Sequence, residues 1–207
     1  MNNRLNLIEK HPWIRFPKEN GNIQNLIVGS FPPNKFTIKK EKRMPGDIDF
    51  FYGSNQNLFW ELFCDAVDLK INWRCKKAEL KSWLIKNNWG VTDIVASACR
   101  PEKNPDSSAD DDLCIISTNN DVIREIIENN PVKKICFTSK WVKTRFDKVF
   151  PEKIISKAGQ VPGVVVLIAP SPAGLISTHW ANEYLSRKEK ESPADYRRRY
   201  YKKFLNP

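Results

Sequence analysis

Apolar and polar positions fall into blocks that read as strands and helices in turn. The run "NLIVG" (25–29) is short, apolar and closed by glycine, which predicts a buried strand. From residue 57, "NLFWELFCDAVDL" carries apolar residues at helical spacing, and "KKAELKSWLIKNN" (76–88) predicts a second helix. "WGVTDIVAS" (89–97) reads as a second strand. "NNDVIREIIENN" (119–130) reads as a helix with Ile123, Ile126 and Ile127 on one face, stopped by Pro131. "VKKICFTS" (132–139) predicts a third strand, and "KWVKTRFDKVF" (140–150) a helix ended by Pro151. "VVVLIAPSPAGLIS" (164–177) predicts a fourth strand running into a loop, and "PADYRRRYYKKFL" (193–205) a last helix, basic and aromatic. The stretches 30–49 and 99–112 are polar, lack either period and read as loops.

Strands alternating with helices imply an α/β fold. The expected form is a three-layer α/β/α sandwich around a four-stranded, mostly parallel sheet. No internal repeat is visible. The basic, proline-containing stretch 34–49 reads as an insertion within one domain spanning 1–207, not as a linker between two.

The 207 residues suffice for one such domain. No apolar run approaches the length of a membrane span, and "MNNRLNLIEKHPW" lacks the charged-then-apolar order of a signal peptide, so a cytoplasmic protein is expected, with no membrane partner. The five cysteines form no C-x-x-C pair. With only His11 and His179 beside them, neither a zinc site nor an iron–sulfur site is suggested, and buried reduced thiols are expected. The net charge of +10 raises the prospect of a polyanionic partner, nucleic acid above all. "KKEKR" (39–43), with Lys39 and Lys40, and "YRRRYYKKFL" (196–205), with Arg197 and Arg198, are the candidate phosphate contacts; each could equally be a solvated surface.

Ligands of open parallel α/β sheets lie beyond the carboxyl ends of the strands. Three segments stand there: "GSFPP" (29–33), "APSPAGLIS" (169–177) and "FFYGSNQNLFW" (50–60), the last leading from the long loop into a helix. Together and in this order they resemble the uracil-DNA glycosylase superfamily. The nearest likeness is to its hypoxanthine-DNA glycosylase branch (family 6), with the mismatch-specific uracil glycosylases further off. The resemblance rests on Gly29-Ser30-Phe31-Pro32, on the pair Phe51-Tyr52, on Asn57-Leu58-Phe59-Trp60, on "WGVTDIVASACRPEKNPDSS", on "KICFTSK" and on "SPAG". It covers roughly residues 23–180. It implies a four-stranded parallel sheet flanked by helices and hydrolysis of the bond between an altered base and deoxyribose, without metal or organic cofactor. The implied partner is single- or double-stranded DNA holding an altered base, and a monomeric protein is expected.

Glycosidic cleavage passes through an oxocarbenium-like sugar, and a base inside a duplex must first be flipped out. The site then needs a ring to stack the base, amides to read it, a wedge to fill the gap and donors for phosphates. By resemblance Tyr52 is the stacking ring and Asn57 the catalytic amide, against the plainer readings of a core tyrosine and a helix cap. Gly29, Ser30, Phe31 and Ser171 would line the base pocket, with Ser30 and Ser171 also placed to hold phosphates. Leu175 matches the intercalating wedge, with Ile176 its rival. Asp106, Ser107 and His179 are weaker candidates; Phe59 and Trp60 belong to the core.

The chain also departs from the superfamily. Phe31 stands where better-known members place an acidic or amide water-activator, and Ser171 where they place histidine or asparagine. Pro33 replaces a usual glycine, and "GSNQ" replaces His-Pro-Arg. The leading expectation is a monofunctional DNA glycosylase for a deaminated or modified base, of the hypoxanthine or uracil type, in base excision repair. Two alternatives stay open: a non-catalytic nucleic-acid-binding module on the same fold, and a glycosylase for a bulky modified base.

Overall fold

A computed structural model describes residues 7–19, 21–107, 109–150, 162–167 and 191–205. Among these, a five-stranded sheet forms the centre. Its strands are β2 (Arg15–Phe16), β3 (Asn25–Gly29), β4 (Trp89–Asp93), β7 (Lys134–Phe137) and β8 (Gly163–Val166), in the order β2-β4-β3-β7-β8. β4, β3, β7 and β8 run parallel, while β2 closes the edge antiparallel to β4. A second sheet of three antiparallel strands, β1 (Glu9–Lys10), β5 (Val95–Cys99) and β6 (Cys114–Thr118), stands beside it in the order β1-β5-β6. The fold is therefore mixed α/β, and the expectation of a single four-stranded sheet is corrected to two sheets of five and three strands.

The alternation along β3 shows why the sheet is covered on both faces. Ile27 belongs to one apolar cluster with α1 (Phe59–Ala66), α2 (Lys77–Lys86) and the last helix α5 (Pro193–Leu205). Leu26 and Val28 belong to the other, with α3 (Asn120–Asn129) and α4 (Lys140–Val149). Successive side chains of a strand point to opposite faces, so one apolar pentapeptide seeds two cores. On α3, Ile123, Ile126 and Ile127 share one buried stripe. Burying each is worth roughly 1.5–3 kcal/mol.

Four expectations need further correction. "WGVTDIVAS" is not one strand: β4 ends at Asp93, Ile94 turns the chain, and β5 continues in the other sheet. Residues 30–49 are not an irregular excursion; they hold two 3-10 turns, Asn34–Phe36 and Lys40–Lys42, and bury Phe36 and Ile48. The helix starting near Asn57 begins at Phe59. The cysteines are not uniformly buried, since Cys75 and Cys114 are exposed. Among the described residues no helix is long and apolar enough to cross a membrane.

Candidate active site

The strand order reverses at β3: the chain passes to β4 on one side and later to β7 on the other. The carboxyl ends of these three strands diverge there, which is where open α/β sheets leave a crevice. A pocket of about 490 Å³ occupies it. Ser30 and Phe31 follow β3, Asp93 ends β4, and Thr138 and Ser139 follow β7; all five line the pocket. Ser139 also caps α4, its hydroxyl accepting from the Val142 N–H at 3.3 Å. The positive end of a helix dipole therefore lies at the pocket, where it favours negative charge.

Tyr52 and Asn57 line the same pocket. Tyr52 has φ of 54°, a left-handed backbone conformation uncommon for a large residue. The turn that contains it is held by Gly53, whose N–H donates to the Phe50 carbonyl and whose own carbonyl accepts from Ile48. The Tyr52 ring packs on Phe59 with 4.3 Å between centroids, and its hydroxyl donates to Asp93 Oδ1 at 3.2 Å. Burial, then the neighbouring Asp93 charge, push the Tyr52 hydroxyl well above its ordinary pKa, so it stays a donor.

Asn57 stands one residue before the position that caps α1, which Leu58 occupies. Its Oδ1 accepts from the Phe59 N–H at 2.8 Å in a local turn, so the plainer reading of Asn57 as the helix cap is corrected while it still lines the pocket. With the oxygen engaged, the amide has its Nδ2 donors to offer a ligand. Trp60, by contrast, is fully buried and donates its indole N–H to the Phe51 carbonyl at 2.6 Å, as befits core.

Gly29 has a different part from the one expected. It does not line the pocket: a Cβ there would lie 2.1 Å from the Tyr52 hydroxyl and 2.3 Å from Asp93 Oδ1. The missing side chain makes room for those two groups, not for a ligand.

Three residues join the site that sequence reading did not select. Asp93 accepts from His11 Nε2 at 2.7 Å on one carboxyl oxygen and from Tyr52 on the other. His11 Nδ1 accepts from the Trp13 N–H at 3.0 Å, which leaves the imidazole proton on Nε2, facing Asp93. Asp110, from a 3-10 turn at Asp110–Asp112, lines the pocket as well. Burial, with help from the Asp93 charge, pushes its carboxyl up to about 6, and the Ser30 hydroxyl bonds it in partial opposition. A carboxyl with that affinity for protons is ionised at neutral pH and still basic enough to take one from water.

Asp106 and Ser107 lie on the same loop but do other work. Asp106 rims the pocket and accepts from Lys39 at 2.6 Å, Lys42 at 2.7 Å and Asn34 Nδ2 at 2.7 Å. Lys39 first, then Lys42, hold its carboxyl well below the usual range. Ser107 accepts through its carbonyl from Arg100, while its hydroxyl donates to Asp112 at 2.5 Å. Arg100 is buried, pairs with buried Glu9 at 2.9 Å and donates to the Pro32 carbonyl at 2.8 Å. It thereby ties the Gly-Ser-Phe-Pro turn to the acidic loop.

The basic segments are largely spoken for. Arg197, expected on DNA, lies on the buried side of α5 and is 2% exposed, so that assignment is corrected. Arg198 is ion-paired with Asp195 and Glu61, and Lys39 with Asp106; Lys40 is exposed. α5 is basic by composition yet contributes Tyr196, Tyr200, Tyr201 and Leu205 to the core. Ser171, Leu175, Ile176 and His179 lie outside the described residues.

No protein-family model matches the chain, and no curated protein matches it. Among solved structures, it is similar to the solution NMR structure of a Methanosarcina acetivorans protein provisionally assigned as a uracil DNA glycosylase. The two share 17% identity over 95% of this chain and 98% of that one, with a TM-score of 0.52. At that identity the likeness shows a common fold.

Proposed function

We propose that this protein is a DNA glycosylase that hydrolyses the N-glycosidic bond of an altered base, of the hypoxanthine or uracil type, flipped out of DNA. One observation carries the reading: an aromatic ring (Tyr52), a donor amide (Asn57) and a basic carboxylate (Asp110) converge on one pocket at the switch point of the sheet. A flipped base stacks on Tyr52, whose ring is aimed by the Asp93 bond and by Phe59 behind it. Asn57 Nδ2 donates to a carbonyl oxygen of the base as the base departs with negative charge. Asp110 takes the proton from the water that attacks the sugar carbon. Asp93 adds negative charge beside the oxocarbenium-like sugar, oriented by His11 and Tyr52. The scheme uses only side chains of this chain and water, and Asp110 supplies the function that Phe31 lacks.

Incubation with single- and double-stranded DNA carrying hypoxanthine, uracil, xanthine or a bulkier modified base, followed by alkali, tests this. Strand scission is expected on at least one of the deaminated bases. No scission on any of them, with DNA still bound, would leave the non-catalytic module as the account of the fold. A second reading, a glycosylase for a bulky base, draws on the strap at 34–49: Lys35, Phe36, Lys42 and Met44 form one wall of the pocket. Scission confined to the bulky base in the same panel selects it.

A further inference from the structure

Cys99 and Cys114 bracket the loop that carries Asp106 and Asp110. Cys99 ends β5, Cys114 begins β6, and the antiparallel register sets the two opposite one another. Opposed residues of such a pair have Cα atoms about 4.5–5.5 Å apart. That lies inside the span of about 4.4–6.8 Å that a disulfide bridges. Their thiols are close enough to interact directly, and both are free. Cys114 is exposed and open to an oxidant in solution, while Cys99 is buried beside it. Burial, then the Cys114 neighbour, raises the Cys99 thiol too; among the rest, burial pushes Cys64 and Cys136 up to about 12 in the core, and Cys75 is exposed on the turn before α2. Cys99 and Cys114 are the cysteine pair that shares a strand register among the described residues.

We propose that Cys99 and Cys114 are a redox modification site: a low-molecular-weight disulfide oxidises them to a reversible cross-strand disulfide that tethers the acidic loop at its base. The Cys114 thiolate attacks one sulfur of the small disulfide and expels a small thiol. The Cys99 thiolate then attacks the Cys114 sulfur of the mixed disulfide and expels the second. The protein gives up two protons and two electrons, and the small disulfide leaves as two thiols. The new bond closes a ring around residues 100–113, which include Arg100, Asp106 and Asp110. Arg100 is the next residue after Cys99, and it donates to the carbonyls of Pro32 and Ser107. Drawing Cys99 toward Cys114 therefore pulls on the group that sets the acidic loop against the Gly-Ser-Phe-Pro turn. The effect on base release rests on the function proposed above; formation of the bond does not.

The test is to treat the full chain with excess oxidised glutathione and then with dithiothreitol. The thiols of Cys99 and Cys114 should both be lost, with no glutathione retained at either, and dithiothreitol should restore them. Peptide mapping should join Cys99 to Cys114. Thermal unfolding should rise by about 6–12 °C on oxidation, as expected for closing a loop of this length in a domain of this size. Cys75→Ser should behave as the parent does, and Cys114→Ser should show neither the cross-link nor the shift. Glutathione retained on Cys114, a cross-link to another cysteine or to a second molecule, or the full thermal shift in Cys114→Ser would each overturn the proposal. If the reduced protein releases no base, the function falls, while the thiol count still decides the disulfide.

Discussion

Asp106 and Asp110 sit four residues apart on one loop and face opposite chemical worlds. At the outer half, Lys39, Lys42 and Asn34 surround Asp106 and keep it an anion far below the pH of any cell. At the inner half, the pocket wall and the Asp93 charge leave Asp110 close to titrating near neutrality. Identical side chains have become a structural clasp and a candidate base because one meets cations at the exposed rim and the other meets an anion in the half-buried pocket. Charge-rich loops are often read as uniformly solvated; here the lysine strap at 34–49 decides which carboxylate is consumed by structure and which is left for chemistry.

The sharpest way to break the contrast is Asp110→Asn. It should lower the rate of base release by about 10²–10⁴-fold in single turnover, the usual worth of a positioned general base. The pH profile should change too. The parent rate should climb through about pH 6 and level off above it, and the variant should lose that limb. A variant with the parent's rate and profile would remove Asp110 from the mechanism.

Next in size is Arg100→Met, which removes the post holding both halves of the loop. It leaves Glu9 buried without its cation, and it should destabilise the fold by about 3–5 kcal/mol in urea unfolding. A loss below about 1 kcal/mol would mean that the loop is held by something else.

Asp110 should also leave a mark on stability. Its folded carboxyl binds a proton up to about pH 6, whereas an unfolded one releases it near 3.8. Its contribution is therefore fully present below about pH 4 and is lost as pH rises through 6. Asp110→Asn should be more stable than the parent at pH 7, by at most about 3 kcal/mol, and nearly equal to it at pH 3. Equal stability at both pH values would contradict the raised proton affinity.

The smallest effect belongs to the clasp. Lys42→Gln should leave base release and unfolding close to the parent's, because exposed ion pairs contribute little and Lys39 still holds Asp106. A large loss of activity in this variant would move the chemistry toward Asp106 and erase the difference between the two carboxylates.

Much of the frame was legible in the sequence because its elements carry their own periodicity. "NLIVG" is apolar from Leu26 to Val28 and lies at the centre of the larger sheet, and the three isoleucines of α3 share one face. What escaped depended on partners distant in the chain. β1 and β2 are two residues long, too short for any period, and exist because β5 and β4 lie beside them. The break at Ile94 is hidden because Ile94 is itself buried, so the apolar pattern runs on while the chain changes sheets. Tyr52, Asn57 and Ser30 were legible as motif residues. Asp93 was concealed inside an apparent strand, and Asp110 in a run of three aspartates that reads as solvated. His11 meets Asp93 across 82 positions, with no local signal to announce it. The basic helix misled because charge was counted without its aromatic partners: four apolar or aromatic positions of α5 turn it inward and take Arg197 with them.

Gly29 carries a consequence for anyone who would reshape this protein. Volume in a packed site is a shared quantity, and at position 29 none is left over. A methyl group added there would displace the phenol of Tyr52 or the carboxyl of Asp93, and the imidazole of His11 leans on the latter. Three side chains spread over residues 11–93 thus hang on the absence of one carbon atom. A library aimed at reshaping the pocket should vary the strap, where Met44 and Lys42 face it from the surface, and leave that hydrogen in place.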